Sequence, residues 1–144
     1  MINAAVIGLG WWGRYIVGSL QGKSDAIRFV RAADTDPAAA AFADEHGLLF
    51  STDFNDALTD NAVDAVDAVD AVILTTPHSL HEVQIIKAAA AGKHVFSEKP
   101  LALNAISAAN AVAACEKAGV VLGIGHERRF EPALLEIKSL IDGG

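Results

Sequence analysis

Ten residues near the start of the chain, Ala4-Ala-Val-Ile-Gly-Leu-Gly-Trp-Trp-Gly13, constrain the fold more than any other stretch. A short apolar run, Ala4 to Ile7, reads as a buried strand and passes directly into Gly8-x-Gly10-x-x-Gly13, and a helical pattern follows. Each glycine has its own task where a strand, a turn and a helix meet a pyrophosphate. Gly8 lets the chain turn tightly off the strand, Gly10 removes the side chain that would hold the backbone away from phosphates, and Gly13 lets the new helix lie close on the sheet. The helix then aims unpaired N–H groups and the positive end of its dipole at the anion. Such a glycine pattern is weak alone, because structural turns and methyltransferase cofactor loops imitate it. The rest of the chain has to decide.

Downstream, apolar runs alternate with helical patterns. Tyr15, Ile16 and Leu20 repeat at helical spacing up to Gly22, and Ile27 to Ala33 is a second strand that ends in Asp34. Asp36 caps and Pro37 opens a helix that Gly47 closes; a short strand around Leu48 to Phe50 and a short helix from Asp53 to Thr59 come next. Ser79-Leu-His-Glu82 has the spacing of a capping box and starts a helix that Gly92 ends. His94 to Ser97 and Val120 to Ile124 read as strands on either side of a long helix capped by Asn104 and closed by Gly119. Pro132 opens an amphipathic segment carrying Leu134, Leu135, Ile137, Leu140 and Ile141. This α/β alternation predicts a parallel sheet covered on both faces, with ligands at the carboxyl ends of the strands. Candidate site residues therefore gather at Gly8 to Gly13, Asp34, Thr75 to His78 and Glu98 to Pro100.

One segment breaks the pattern. From Ala62 to Val72 the triplet Asp-Ala-Val repeats in tandem, and a period of three matches neither a strand nor a helix. Only the last copy, running into Ile73-Leu-Thr-Thr76, makes a convincing buried strand. The remaining copies, with Asp64, Asp67 and Asp70, read as a lengthened, solvated connector rather than as a metal site.

Composition narrows the function classes. A net charge of −7 argues against nucleic acid as a partner, since phosphate binding needs clustered Lys and Arg. No apolar run approaches the ~20 residues of a membrane span, and the Met1-Ile-Asn start lacks the pattern of a signal peptide, so a cytoplasmic protein is expected. The lone Cys115 lies in an Ala-rich helical pattern and reads as a small buried hydrophobe. In a chain this acidic, the positive field for an anionic cofactor has to come from backbone N–H groups.

Asp34 stands 21 positions after Gly13, at the end of the second strand. An acidic side chain there accepts hydrogen bonds from adenine-ribose hydroxyls and repels a 2′-phosphate, and Asp36 adds to the repulsion. The expected cofactor is NAD, with NADP disfavoured. Arg31 is the nearest basic residue upstream, and strand alternation leaves its direction open.

Four stretches taken together, Gly8-Leu-Gly-Trp-Trp-Gly13, Thr76-Pro-His-Ser-Leu-His81, Gly92-Lys-His-Val-Phe-Ser-Glu-Lys-Pro-Leu101 and Gly125-His-Glu-Arg-Arg-Phe130, resemble the Gfo/Idh/MocA oxidoreductases. This is the family of glucose-fructose oxidoreductase and inositol dehydrogenase, and the resemblance covers essentially the whole chain. It implies a Rossmann-type doubly wound sheet and hydride transfer between a nicotinamide and a sugar, cyclitol or related polyol. It also implies that Lys99 is the catalytic acid/base beside the nicotinamide. When a secondary alcohol gives up hydride its hydroxyl proton must leave, and an amine can take it. By the same resemblance Glu98 contacts the nicotinamide ribose and Pro100 directs the chain so that Lys99 points inward. The dinucleotide is then lined by Gly8, Leu9, Gly10, Trp12, Gly13, Asp34, Thr75, Thr76, Pro77, Glu98, Lys99 and Pro100, with the side chains of His78 and His81 in reach. For His81, packing in the first helical turn is an equal alternative.

Two departures from the family pattern stand out. The Asp-Ala-Val repeat carries about two extra triplets, and family members continue into a second, substrate-binding domain after the segment like Arg128-Arg-Phe130. Residues 1–125 are thus expected to form the NAD(P)-binding domain and residues 126–144 the start of a connection to a substrate domain absent from this chain. Such a cofactor half is expected to bind dinucleotide without turning over a polyol; assembly into a homo-oligomer is compatible with the sequence. A catalytically silent dinucleotide-binding module, acting as a sensor or interaction partner, is the rival reading.

Overall fold

The computed structural model describes residues 1–59 and 68–144. Strands β1 (Ile2–Ile7), β2 (Ile27–Ala33), β3 (Leu49–Ser51), β4 (Ala71–Leu74), β5 (His94–Ser97) and β6 (Leu122–Ile124) pair in parallel in the order β3-β2-β1-β4-β5-β6. The chain builds outward from β1 to β3, then returns to β1's other side to start β4. The carboxyl ends of β1 and β4 therefore flank the topological switch point, where an open α/β sheet offers a crevice. Helices α1 (Trp11–Leu20), α2 (Ala40–Glu45), α3 (His81–Ala90), α4 (Ala105–Ala118) and α5 (Pro132–Gly143) complete the order.

Alternation along the strands divides the core into two layers. Ala5, Ile7, Val72, Leu74 and Val95 face α3 and α4 and pack with Ile85, Ala88, Ala111 and Cys115. Cys115 has the buried apolar role expected of it, and burial pushes its thiol pKa up. Ala4, Val6, Phe29, Ala32 and Ile73 face the other way, toward Val17 of α1 and Ala43 of α2. Helices pack on both faces, as expected, and cover on this second face is partial. Helices α1 and α2 lie over β1 to β3, and an apolar groove of about 440 Å³, lined by Ile16, Leu20, Ile27, Ile73, Phe96 and Ile124 among others, stays open beside them. No residue of α5 is buried, and Leu140 and Ile141 are among the most exposed apolar side chains.

Local chemistry sets most element ends. The Asp36 carboxylate accepts from Ala38 N–H at 2.9 Å with Pro37 behind it, and Asn104 caps α4 through Ser107 N–H at 3.0 Å. Gly119 closes α4 at φ 69°, a left-handed conformation that favours glycine. The capping box expected at Ser79 and Glu82 does not form. Pro77 is extended, His78–Leu80 make a 3-10 turn, and α3 starts at His81 with no side-chain cap. Glu82 turns instead to α4, where its carboxylate accepts from Asn110 Nδ2 at 2.9 Å; hydrogen bonds from Asn110 and Ser107 hold its pKa below the usual value.

Asp64 and Asp67 lie outside the described residues. The end of the repeat belongs to the fold: Val69 is buried in the core, and Asp70 Oδ2 accepts from Asn3 N–H at 2.8 Å. Asp70 N–H also donates to Asn3 O at 2.8 Å. Asp70 is thus tied to β1, a correction to its assignment to the connector.

Helix α1 begins at Trp11, so Gly13 lies inside its first turn, and a Cβ on Gly13 would stand 2.0 Å from Gly8 O. A Cβ on Gly18 of the same helix would meet nothing within 4 Å. Two alanine substitutions in one helix should therefore act in opposite directions. Gly13→Ala should lower stability by about 1–3 kcal/mol or more through overpacking, and Gly18→Ala should raise it by about 0.5–1 kcal/mol through helix propensity. Urea unfolding of both variants measures this.

Candidate functional site

The site is built where β1 runs out. Gly8 turns the chain at φ 94°, and a side chain there would meet the Thr75 backbone at 3.1 Å. The Thr75 hydroxyl stands 2.6 Å from Gly8 O and 3.0 Å from Ile7 O, and so fastens the turn to the end of β4. Gly10 occupies the N-cap of α1 and offers no side-chain cap, while a Cβ built on it would meet nothing within 4 Å. Open space therefore lies over an uncapped helix N-terminus at the switch point, where the first-turn N–H groups face outward.

Both backbone groups of Leu9 are held. Its N–H donates to Asp34 Oδ2 at 2.5 Å, and its carbonyl accepts from Arg14 Nε at 2.8 Å. Asp34 Oδ1 accepts from Asp36 N–H at 2.9 Å. An ionised carboxylate has about four acceptor positions, so Asp34 keeps capacity for ribose hydroxyls while it anchors the turn. The Arg14 guanidinium lies 5.2 Å above the Phe42 ring. Sequence reading passed over Arg14, because a base on the exposed side of a helix carries no signal of a backbone clamp. Arg31 Nη1 donates to Asp56 O at 3.4 Å, and the side chain lines a cavity beside β3 about 10 Å up the strand from Asp34.

A cleft of about 310 Å³ opens beside the turn and gathers Gly8, Gly10, Asp34, Thr75, Thr76 and Pro77 from three separate stretches of sequence. Thr35, Thr52, Phe54, Leu80 and Gln84 share its walls without having been expected there: the first three lie in short loops or turns with no motif, and Gln84 lies within α3. Thr76 Oγ1 donates to Gln84 Oε1 at 2.5 Å. His78 is exposed at the start of the 3-10 turn. His81 is buried, with Nδ1 2.9 Å from Pro100 O and Nε2 2.9 Å from Thr76 O. It bridges the loops after β4 and β5 and is not among the residues lining the cleft. A neutral ring donates to one of these carbonyls and an imidazolium to both.

Beyond β5 the chain presents Glu98, Lys99 and Pro100. The Glu98 carboxylate accepts from Trp12 Nε1 at 2.6 Å and from Lys99 N–H at 3.2 Å. Trp12, expected against the cofactor, thus makes its polar contact with a strand-end acid. Lys99 is joined to Pro100 by a cis peptide and is exposed, bordering an open cavity of about 360 Å³ with His126, Glu127, Arg128 and Arg129. Two regions therefore flank the α1 N-terminus: the Asp34 cleft on one side and the Glu98–Lys99 corner on the other. An uncapped N-terminus, a Gly10 cradle open above it and an acid at the end of β2 fit a dinucleotide.

Among the described residues, no helix is long and apolar enough to cross a membrane. Residues 2–126 match the family model described as "Oxidoreductase family, NAD-binding Rossmann fold". The chain is 36% identical to scyllo-inositol 2-dehydrogenase (NAD(+)) of Bacillus subtilis over 145 residues, covering 99% of this chain and 41% of that protein. Scyllo-inositol dehydrogenase of Lactobacillus casei, solved with bound NAD(H) and scyllo-inositol, superposes with a TM-score of 0.87 at 28% identity, covering all of this chain and 42% of that one. The WlbA dehydrogenase of Bordetella pertussis, solved with NADH and UDP-GlcNAcA, superposes with a TM-score of 0.89 at 31% identity, over 99% of this chain and 42% of that one. The chain thus spans about two fifths of the length of these relatives. It belongs to the Gfo/Idh/MocA oxidoreductase family and carries that family's NAD-binding Rossmann domain.

Proposed function

We propose that this chain is the cofactor-binding part of an NAD-dependent dehydrogenase that acts on a CH–OH group of a sugar, cyclitol or related polyol. One observation carries the reading: a Gly8–Gly13 turn clamped to Asp34 at the switch point, with Lys99 at the end of the strand next to β4. NAD, when bound, supplies the hydride acceptor. The first-turn N–H groups of α1 hold the pyrophosphate, Asp34 takes the adenine-ribose hydroxyls, and Glu98 takes a hydroxyl of the nicotinamide ribose. Lys99 receives the proton that the substrate hydroxyl loses as hydride leaves the carbon, and returns it in reduction. The relatives are more than twice as long, and the remaining length is where the substrate would be oriented. Orientation matters on that scale, since misplacement by ~1 Å already costs ~100-fold in rate. The same reading makes the protein cytoplasmic, with a dinucleotide and a small polyol as partners and no nucleic acid.

Asp34 and Asp36 place two carboxylates where a 2′-phosphate would sit, and Arg31 is occupied with Asp56, so NAD should bind more tightly than NADP. Asp34→Asn keeps an acceptor for Leu9 N–H and removes the charge. It should narrow the NAD-to-NADP affinity ratio by about tenfold or more, in line with a charge-assisted hydrogen bond. Titration of both cofactors by calorimetry measures the ratio; tighter NADP binding to the unaltered chain would sink the preference. For the chain joined to a substrate domain, Lys99→Ala should lower kcat by about 100- to 10,000-fold with NADH affinity within about twofold. Steady-state kinetics with inositols and hexoses read this, and an active enzyme indifferent to Lys99→Ala would refute the role given to that lysine.

A further inference from the structure

We infer that Trp12 and Gly125 are positioning residues for Glu98, and that through Glu98 they tie the glycine turn to the nicotinamide end of the site. The inference rests on the dinucleotide reading above and deepens it. Trp12 stands in the first turn of α1, two residues past Gly10, and Glu98 follows β5, on the far side of β4 from the turn. The indole Nε1–H donates to Glu98 Oε1 at 2.6 Å, shorter than the usual N–H···O distance, as suits a donor facing an ionised acceptor. The other oxygen accepts from Lys99 N–H at 3.2 Å. Glu98 is further fixed by its own N–H, which donates to Leu74 O at 3.0 Å.

Gly125 supplies the space. A Cβ there would lie 2.8 Å from Glu98 Oε1 and 3.0 Å from Oε2, so any larger residue would push the carboxylate off its two donors. Gly125 N–H donates to Ser97 O at 2.9 Å, which holds this empty position against the end of β5. One flank of the pair is apolar, since Phe96, Ile124 and Phe130 share the groove that Trp12 and Glu98 border. A charge-assisted hydrogen bond is stronger beside such a surface than in open water. The phosphate-binding turn and the residue before Lys99 are therefore one mechanical unit. A carboxylate held from both sides meets a nicotinamide ribose with its geometry already set; a swinging one would lose rotamer freedom on binding.

The test separates this from damage to the turn. In the 1H–15N spectrum of the unliganded chain, Trp11 and Trp12 give two indole N–H signals. Glu98→Ala should move one upfield and leave the other in place, because only Trp12 donates to Glu98. Trp12→Phe keeps an aromatic ring and removes the donor; it should weaken NADH about three- to tenfold, the worth of one hydrogen bond, and leave ADP within about twofold. Gly125→Ala should show the same split between NADH and ADP. The double variant Trp12→Phe/Glu98→Ala should bind NADH no more weakly than Glu98→Ala alone, as required if one residue acts through the other. Equal weakening of ADP and NADH, unchanged NADH affinity, multiplying losses, or two unmoved indole signals would each overturn the inference. An unaltered chain that bound neither NADH nor ADP would overturn the dinucleotide reading itself and this inference with it.

Discussion

Everything at the sheet's carboxyl edge depends on how closely α1 approaches the turn that leads into it. A methyl group on Gly13 would stand 2.0 Å from Gly8 O, and the Thr75 hydroxyl, 2.6 Å from that same oxygen, closes the gap from the β4 side. Strand β1, helix α1 and strand β4 thus converge on one carbonyl. The convergence fixes the direction of α1, and with it the direction of the N–H groups that an anion would meet. It also fixes Trp12, whose indole reaches across to the end of β5.

A second consequence concerns charge. The chain carries a net −7, so the attraction for an anion proposed at the turn has to come from oriented backbone rather than from basic side chains. Asp34 shows this arrangement, because the carboxylate proposed to meet the ribose also anchors the Leu9 N–H. Arg14 completes the anchor from the carbonyl of the same residue. Leu9, the residue between Gly8 and Gly10, is thus held through both its N–H and its carbonyl.

Sequence made some of this legible and left other parts hidden for physical reasons. Strands β2 and β5 were readable to the residue, since apolar runs bounded by an acid or a glycine have few alternatives. The capping box at Ser79 misled because the motif describes a local competition that α4 wins: Glu82 finds Asn110, and Pro77 starts a 3-10 turn first. Asp70 looked like solvated filler because a repeat conceals the one copy that meets a strand edge. His81 could be assigned to neither of its two roles from sequence, because its partners are backbone carbonyls of Thr76 and Pro100, which no side-chain pattern advertises. Gly125 belonged to a quoted motif, but its use as empty space for Glu98 exists only once β5 and β6 are side by side.

Dinucleotide binding by these 144 residues is expected whatever the substrate. Calorimetric titration of the purified chain with NADH, and separately with S-adenosylmethionine, tests it most directly. Saturable binding of one NADH per chain and no heat with S-adenosylmethionine is the expected result. Failure to bind NADH, or tighter binding of S-adenosylmethionine, would contradict the account.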